Sequence, residues 1–308
     1  MSNNPTLLQQ FRSFCFQNNI ADLEKAIEYF CVFGGMGWKV DVTKSVEQLI
    51  EEKVLKNYRY IHGDITKITQ SNNTHHALLT AIATGDRREH SAFKKANVRR
   101  ETGEESIDFL IEHKLIHFDK SIEKPVDEKD ANSDKLLFNQ PFMRFWFSCI
   151  SPYYKGIRDG DYKEFMGYWK ETKITFSHLI YTQLVMELIK QSFKEEPSGG
   201  YISSIGSYWD KHTNIDILAK RKSGKTVAGL CKYTKAKAGK SELTKLKEQC
   251  KQAELDVEIF VIFSKNKFSS ELKKEKSHNV LLLTPRNLQI LLSDLSEDDL
   301  LVHTNKRY

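Results

Sequence analysis

The stretch Asn214-Ile-Asp-Ile-Leu-Ala-Lys-Arg-Lys-Ser-Gly-Lys-Thr-Val-Ala-Gly-Leu-Cys-Lys-Tyr233 decides how this chain is read. Two apolar runs of strand length, Asn214 to Ala219 and Thr226 to Tyr233, flank a basic Ser-Gly segment, which is the pattern of a β-hairpin. Residues two apart on a strand share a face. Asn214, Asp216 and Leu218 are therefore expected on one face of the first strand, with Ile215 and Ile217 on the other. In the second strand Leu230 and Lys232 share a face, so pairing of the two strands brings Asp216 and Lys232 to one cleft. Ser223-Gly-Lys-Thr226 looks like the end of a phosphate-binding loop, but a first glycine would fall at Ala219, and the segment joins two strands instead of a strand and a helix. It reads as a hairpin turn, and no nucleotide is expected as cofactor.

Working outward, a lysine-rich helix is expected from Ser241 to Ala253, then strands at Val257–Phe263 and Val280–Leu283 and a helix opened by Pro285. Upstream lie a strand at Tyr201–Ile205 and a long helix over 161–193, whose part from Ser177 to Ile189 is strongly apolar with Glu187 as its one acidic residue. This order predicts an α/β/α domain with a mixed sheet over residues 151–308. Residues 1–72 read as helices at 6–17, 22–33 and 43–52, followed by a hairpin in which Lys53–Tyr60 and Asp64–Thr69 alternate around His62-Gly63. Residues 73–150 read as helices at 75–84, 89–96 and 102–113, strands at 115–118 and 135–138 around an acidic loop, and an aromatic junction, Phe142-Met-Arg-Phe-Trp-Phe147. Three helices plus a two-stranded wing describe a winged-helix unit. The fold class expected is thus α+β, a tandem winged-helix-like N-terminal half followed by the mixed-sheet domain.

The chain of 308 residues has ordinary apolar and charged fractions for a globular protein. The apolar runs are all far shorter than a bilayer requires, and the N-terminus lacks a secretory pattern. Five scattered cysteines without a C-x-x-C pair argue for a reducing compartment and against a zinc cluster. A cytoplasmic protein without a membrane partner is expected. The net charge of +6 is uneven: Lys220 to Lys251 holds eleven Lys/Arg against Glu242 and Glu248, and the rest of the chain holds 36 basic against 39 acidic residues. All the excess positive charge sits beside the candidate cleft, a field that favours a polyanion such as nucleic acid.

An aspartate on one strand and a lysine near the end of the next is a layout suited to phosphodiester cleavage. That chemistry needs a hard cation held by carboxylates and a positive group that positions and deprotonates water. Asp216 and Lys232 fit those roles, with Glu187 reaching over from the preceding helix. The alternative reading of the same residues is an ordinary buried ion pair and a helix-surface carboxylate. Phe142–Phe147, Ile205-Gly-Ser-Tyr-Trp209, Asn214-Ile-Asp-Ile217 and Gly229-Leu-Cys-Lys-Tyr233, in that order, resemble the uncharacterised C-terminal domain of archaeal-type ATPases, a branch of the PD-(D/E)XK nuclease superfamily. That family shows F-W-F, I-G-x-W-W, E-I-D and G-E-C-K-W, and the resemblance covers roughly residues 75–292.

The resemblance implies a restriction-endonuclease-like fold, with Asp216 as metal ligand, Lys232 as catalytic lysine, Glu187 as helix acid and the backbone carbonyl of Cys231 as a further ligand to Mg²⁺ or Mn²⁺. Two departures matter: Asn214 replaces a glutamate, and Leu230 replaces a metal-binding glutamate. A weak or degenerate nuclease site is expected, with Glu248 as a candidate substitute, and the family's ATPase is not expected in this chain. DNA is the expected partner, contacted by Lys235, Lys237, Lys240 and Lys245 on and before the basic helix. In the N-terminal half Lys94, Lys95, Arg99 and Arg100 are candidates for phosphate contacts, although the third helix there is acidic (Glu101, Glu104, Glu105, Asp108). The rival expectation is a non-catalytic adaptor that docks a protein such as a separate ATPase.

Overall fold

The computed structural model describes residues 5–20, 22–194 and 200–301. They fall into two compact units, one within residues 1–119, 134–173 and 295–308, the other within 120–133 and 174–294.

The first unit is helical apart from one strand pair. Helix α1 (Leu7–Asn18) opens on Thr6, whose hydroxyl accepts the Gln9 N–H while the Gln9 side chain accepts the Thr6 N–H, a reciprocal capping box. Helix α2 (Leu23–Phe33) follows Asp22 as N-cap, and α3 (Val46–Leu49) runs into a π-helical turn, Ile50–Leu55. The hairpin expected around His62-Gly63 does not form. Helix α4 (Tyr58–Ile68) runs straight through it. The buried positions Val54, Tyr58, Ile61 and Ile65 recur every three or four residues, the period of a helix, and this spacing outweighs the local alternation. Gly63 sits where an added Cβ meets nothing, so it marks no turn.

Helices α5 (Asn73–Thr84), α6 (Glu89–Ala96) and α7 (Arg100–Glu112) then lead to strands β1 (Ile116–Asp119) and β2 (Lys135–Phe138), paired antiparallel with Ile116 opposite Phe138. The aromatic run forms α8 (Pro141–Phe145) and a π-helical continuation, and Phe142, Phe145, Trp146 and Phe147 are all fully buried. Phe142 meets Trp38 at 4.7 Å between ring centroids. The segment expected as a junction is therefore core, which suits side chains that bury the most apolar area. A short helix α9 (Tyr154–Arg158) precedes the 30-residue α10 (Lys163–Ser192).

The second unit is built on a five-stranded mixed sheet, β3 (Ile202–Trp209), β4 (Asn214–Arg221), β5 (Thr226–Lys232), β6 (Ile259–Ser264) and β7 (Val280–Leu283), in spatial order β3-β4-β5-β6-β7. The pairs β3/β4 and β4/β5 are antiparallel, and β5/β6 and β6/β7 parallel. The expected hairpin between β4 and β5 forms, closed by Arg221 N–H on the Lys225 carbonyl with Gly224 at φ +84°, a conformation that favours glycine. Helix α11 (Lys240–Gln252) and the short α12 (Ser270–Lys274) fill the parallel crossovers, and Pro285–Leu292 closes the unit as a 3₁₀ helix.

Leu243, Leu246 and Cys250 of α11 pack on Leu218, Ala228 and Ile262 of the sheet. Tyr181 of α10 stacks on Tyr233 at 3.8 Å, so helices cover both faces. The free edge of β3 is covered by residues 120–133, where Ile122 N–H donates to the Ser207 carbonyl and Ser133 O accepts from Trp209 Nε1, a protection against edge-to-edge pairing.

Candidate functional site

The site is set by an irregularity in β4. Gly206 pairs with Leu218 but Tyr208 pairs with Ile215, so three residues of β4 span two of β3. The extra residue is a β-bulge, which bends a strand and re-aims a side chain. As a result Ile215 and Leu218 join the same apolar cluster, and the simple alternation expected for Asn214, Asp216 and Leu218 fails at Asp216. The pairing of β4 with β5 runs from Lys220–Thr226 to Ile217–Gly229 and stops there. Gly229 lies where an added Cβ would come within 3.2 Å of Ile217 Cβ, so the two strands close tightly just before they part.

Beyond that point Cys231 N–H has lost its β4 partner, and Asp216 Oδ2 accepts it at 2.9 Å. The Cys231 carbonyl accepts from His178 Nε2 of α10 at 2.9 Å, which requires the proton on that nitrogen. Lys232 forms an ion pair with Glu242 of α11 and also donates to the Lys237 carbonyl at 3.1 Å. Glu242 in turn accepts Gly239 N–H at 2.7 Å, in the capping position of α11. Together these groups, with Asn214, Lys245 and Gln249, line a cleft of about 560 Å³ at the end of β4 and β5.

The electrostatics follow from these contacts. Burial alone would raise the Glu242 carboxyl, but the Lys232 ammonium and the Gly239 N–H more than offset it and hold it below the ordinary carboxylate value. Burial, reinforced by the Asp216 charge, pushes the Cys231 thiol far up. It stays protonated and is neither nucleophile nor thiolate ligand.

Asp216, Lys232 and Cys231 thus meet at the cleft, whereas Glu187 does not line it; it pairs with Lys190 at 3.4 Å. On a helix, nine residues separate His178 from Glu187 by roughly two and a half turns, which puts them on opposite sides. The residue that α10 delivers to the cleft is His178. Glu248 is exposed on α11 and does not line the cleft; Glu242 does.

Among the proposed DNA contacts, Lys235, Lys237, Lys245, Lys94 and Arg99 are exposed. Lys240 pairs with Glu275, Arg100 pairs with Glu104, and Lys95 donates to the Thr84 carbonyl. Sequence reasoning missed His178 and Glu242. The latter had a signal, a glutamate three residues after Gly239 at the start of a helix, the capping-box spacing. His178 had none, because an i, i+3 neighbour of Tyr181 on an apolar helix looks like core.

Residues 146–246 match DUF234, a family described as archaea bacterial proteins of unknown function. The match spans the buried Trp146, α10, β3 to β5 and the first half of α11, and so includes Asp216, Lys232 and Glu242. No curated protein and no solved structure matches the chain. Among the described residues no helix is long and apolar enough to cross a membrane, and all five cysteines are buried and outside any disulfide.

A divalent hard cation takes about six oxygen ligands, with two or more carboxylates where the protein supplies most of them. The donors of this cleft do not fit that requirement. Asp216 is tied to Cys231 N–H, the Cys231 carbonyl to His178, and Glu242 to Lys232, while Leu230 brings hydrocarbon. Among the described residues no group of three or more His, Cys, Asp or Glu side chains that could hold a metal ion is assembled.

Proposed function

We propose that the chain is a DNA-associated protein whose second unit is a restriction-endonuclease-like module that does not cut. The order of a helix, three antiparallel strands, a helix and a parallel strand supports the nuclease-like ancestry. Helices α5 to α7 with the β1/β2 pair support a winged-helix reading of residues 73–150. The observation that carries the proposal is the crowding of lysines around a cleft whose two carboxylates, Asp216 and Glu242, are already engaged by Cys231 N–H and Lys232. Lys235 and Lys237 lie on the loop after β5, Lys267 on the loop after β6, and Lys245 and Lys251 on α11, all exposed. The Ala238–Phe268 bridge holds the two loops together, so Lys235, Lys237 and Lys267 lie at the carboxyl ends of the parallel strands β5 and β6, and Lys245 lines the cleft. Phosphate contacts of this kind supply affinity without sequence information.

Fluorescence anisotropy with labelled duplex DNA tests the reading. Binding should weaken as salt rises, with a log–log slope of about −0.9 for each phosphate neutralised. A flat salt response refutes it. Incubation of supercoiled plasmid with Mg²⁺ or Mn²⁺ should leave the plasmid intact; nicking abolished by Asp216→Asn overturns the non-cutting part.

A second reading, an adaptor for a protein such as a separate ATPase, has its own support. Glu101, Glu104, Glu105 and Asp108 are all exposed on α7, an acidic face that repels DNA and suits a basic protein surface. Stable co-purification with an ATPase, together with no DNA affinity at low salt, decides for it.

A further inference from the structure

The first unit contains a cavity that neither the cleft nor the charge pattern explains. It has about 380 Å³ and lies where α4 meets α5, with Trp146 and Tyr154 completing its wall, a volume in the range of small-molecule sites. None of its lining residues is Asp, Glu, Lys or Arg, and five of them are rings: Tyr58, His62, His76, Trp146 and Tyr154. Tyr58 and Trp146 stack at 5.5 Å with their planes 9° apart. His62 and His76 lie 6.2 Å apart, and burial followed by the neighbouring His62 lowers the pKa of His76, which keeps that ring neutral. Tyr154 lines the cavity and is 43 % exposed, so it is accessible to an incoming partner.

The rim of the cavity is polar and unusually built. The turn between α4 and α5 holds Gln70 and Ser71 consecutively at φ +54° and +55°, a left-handed conformation that non-glycine residues other than Asn and Asp seldom adopt. It is fastened by Ser71 N–H on the Thr66 carbonyl at 2.7 Å. The turn brings the exposed Ser71 and Asn73 side chains to the cavity. An asparagine amide offers a donor and an acceptor side by side, and a strained turn kept at a cavity rim is the kind of outlier that points to use. A charged ligand finds no counter-ion in this lining, and a plain hydrocarbon would leave the amide and hydroxyls without partners.

We propose that this cavity binds a neutral planar heteroaromatic ring with adjacent donor and acceptor groups, a nucleobase, stacked against Tyr154 and read at its edge by Asn73 and Ser71. The base can come from a free nucleoside or from an unstacked position of a nucleic-acid strand. The inference does not depend on DNA binding by the second unit.

Isothermal titration of the full chain with adenosine, guanosine, cytidine and uridine at millimolar concentration tests it. At least one nucleoside should give a saturable isotherm, weakened about tenfold by Tyr154→Ala, the scale of one aromatic stacking contact. Ala77→Leu, which fills the cavity wall from α5, should weaken it as well, and thermal unfolding of both variants establishes that they fold. An oligonucleotide of the preferred base that binds more tightly than the nucleoside, with the same sensitivity to both variants, assigns the base to a strand. Equal affinity assigns it to a free nucleoside. Absence of a saturable isotherm with all four nucleosides, or one that neither variant changes, overturns the proposal.

Discussion

Replacing Glu242 with Gln should weaken the fold and strengthen DNA binding at once. Lys232 and Glu242 pair with each side chain only 20 % exposed. A fully exposed pair contributes about 0–1 kcal/mol, and removing one partner of a fully buried pair costs about 3–5 kcal/mol. A pair at this depth falls between, so a loss of about 1–2 kcal/mol is expected. Glutamine keeps the carbonyl that accepts Gly239 N–H, now at 2.7 Å, so the helix cap survives and the loss isolates the charge. Glu242→Ala removes the cap as well and should cost about 0.5–1.5 kcal/mol more. The sign with pH is fixed by the carboxyl lying below its ordinary value of 4.5. A depressed carboxyl stabilises above the unfolded value, and that contribution disappears as pH falls through the folded one. Urea unfolding should therefore show a gap between wild type and Glu242→Gln at neutral pH that closes on acidification below about 4.5. In anisotropy the variant frees one ammonium group, so affinity should rise severalfold and the salt slope steepen by roughly 0.9. If Glu242→Gln unfolds at the wild-type urea concentration and binds DNA no better, the ion pair does not hold Lys232 in solution, and the account of the cleft fails.

Other outcomes follow from the same geometry. Leu230→Glu adds a further carboxylate to the cleft that Asp216 lines; it should create a calorimetric Mn²⁺ isotherm absent from wild type, and cost about 1–3 kcal/mol of apolar packing, read by urea unfolding. Asp216→Ala leaves Cys231 N–H without its acceptor and should destabilise by about 1–3 kcal/mol, whereas Asp216→Asn, which retains an acceptor oxygen, should cost clearly less; equal losses would show that the hydrogen bond is unimportant. Gly229→Val forces branched bulk against Ile217, 3.2 Å from the first added carbon, and should cost at least about 1–3 kcal/mol, measured as a lowered unfolding midpoint.

Much of the second unit was legible because its elements carry strong local signals. The turn at Ser223–Lys225, the apolar strands at 226–232 and 259–264, and the amphipathic α11 fall close to the expected positions. The hairpin around His62-Gly63 was misread because alternation over a few residues competes with helical spacing. The buried set from Val54 to Ile65 needed the wider window. The bulge at Asp216 was not legible, since it is created by the mismatch between β3 and β4 and neither strand announces it alone. His178 and Glu242 were hidden for a related reason. Each becomes a cleft residue only through a partner distant in sequence, 53 residues in one case and 10 in the other. Sequence spacing on one element identified candidate donors; it could not say which of them tertiary contacts would already have satisfied.

The closed network also explains how the cleft keeps its shape through its own contacts. An ion site that gathers carboxylates stores like-charge repulsion, which the bound cation relieves. Here Leu230 packs against the α11 cluster, the Lys232 ammonium group has an internal anion in Glu242, and Asp216 completes a backbone pairing that the parting strands leave open. Each of these groups supports the sheet. The shape is then maintained by the same contacts that stabilise the fold, while the lysines on the loops after β5 and β6 remain exposed. On this argument stability and ion binding should move in opposite directions across the site. Leu230→Glu and Glu242→Gln combined should be less stable than either alone and bind Mn²⁺ more tightly than Leu230→Glu if the freed Lys232 orders water at the ion, but more weakly if its charge simply repels the cation. Calorimetry of the double variant decides between a geometry able to serve an ion and a cleft that is a structural element only.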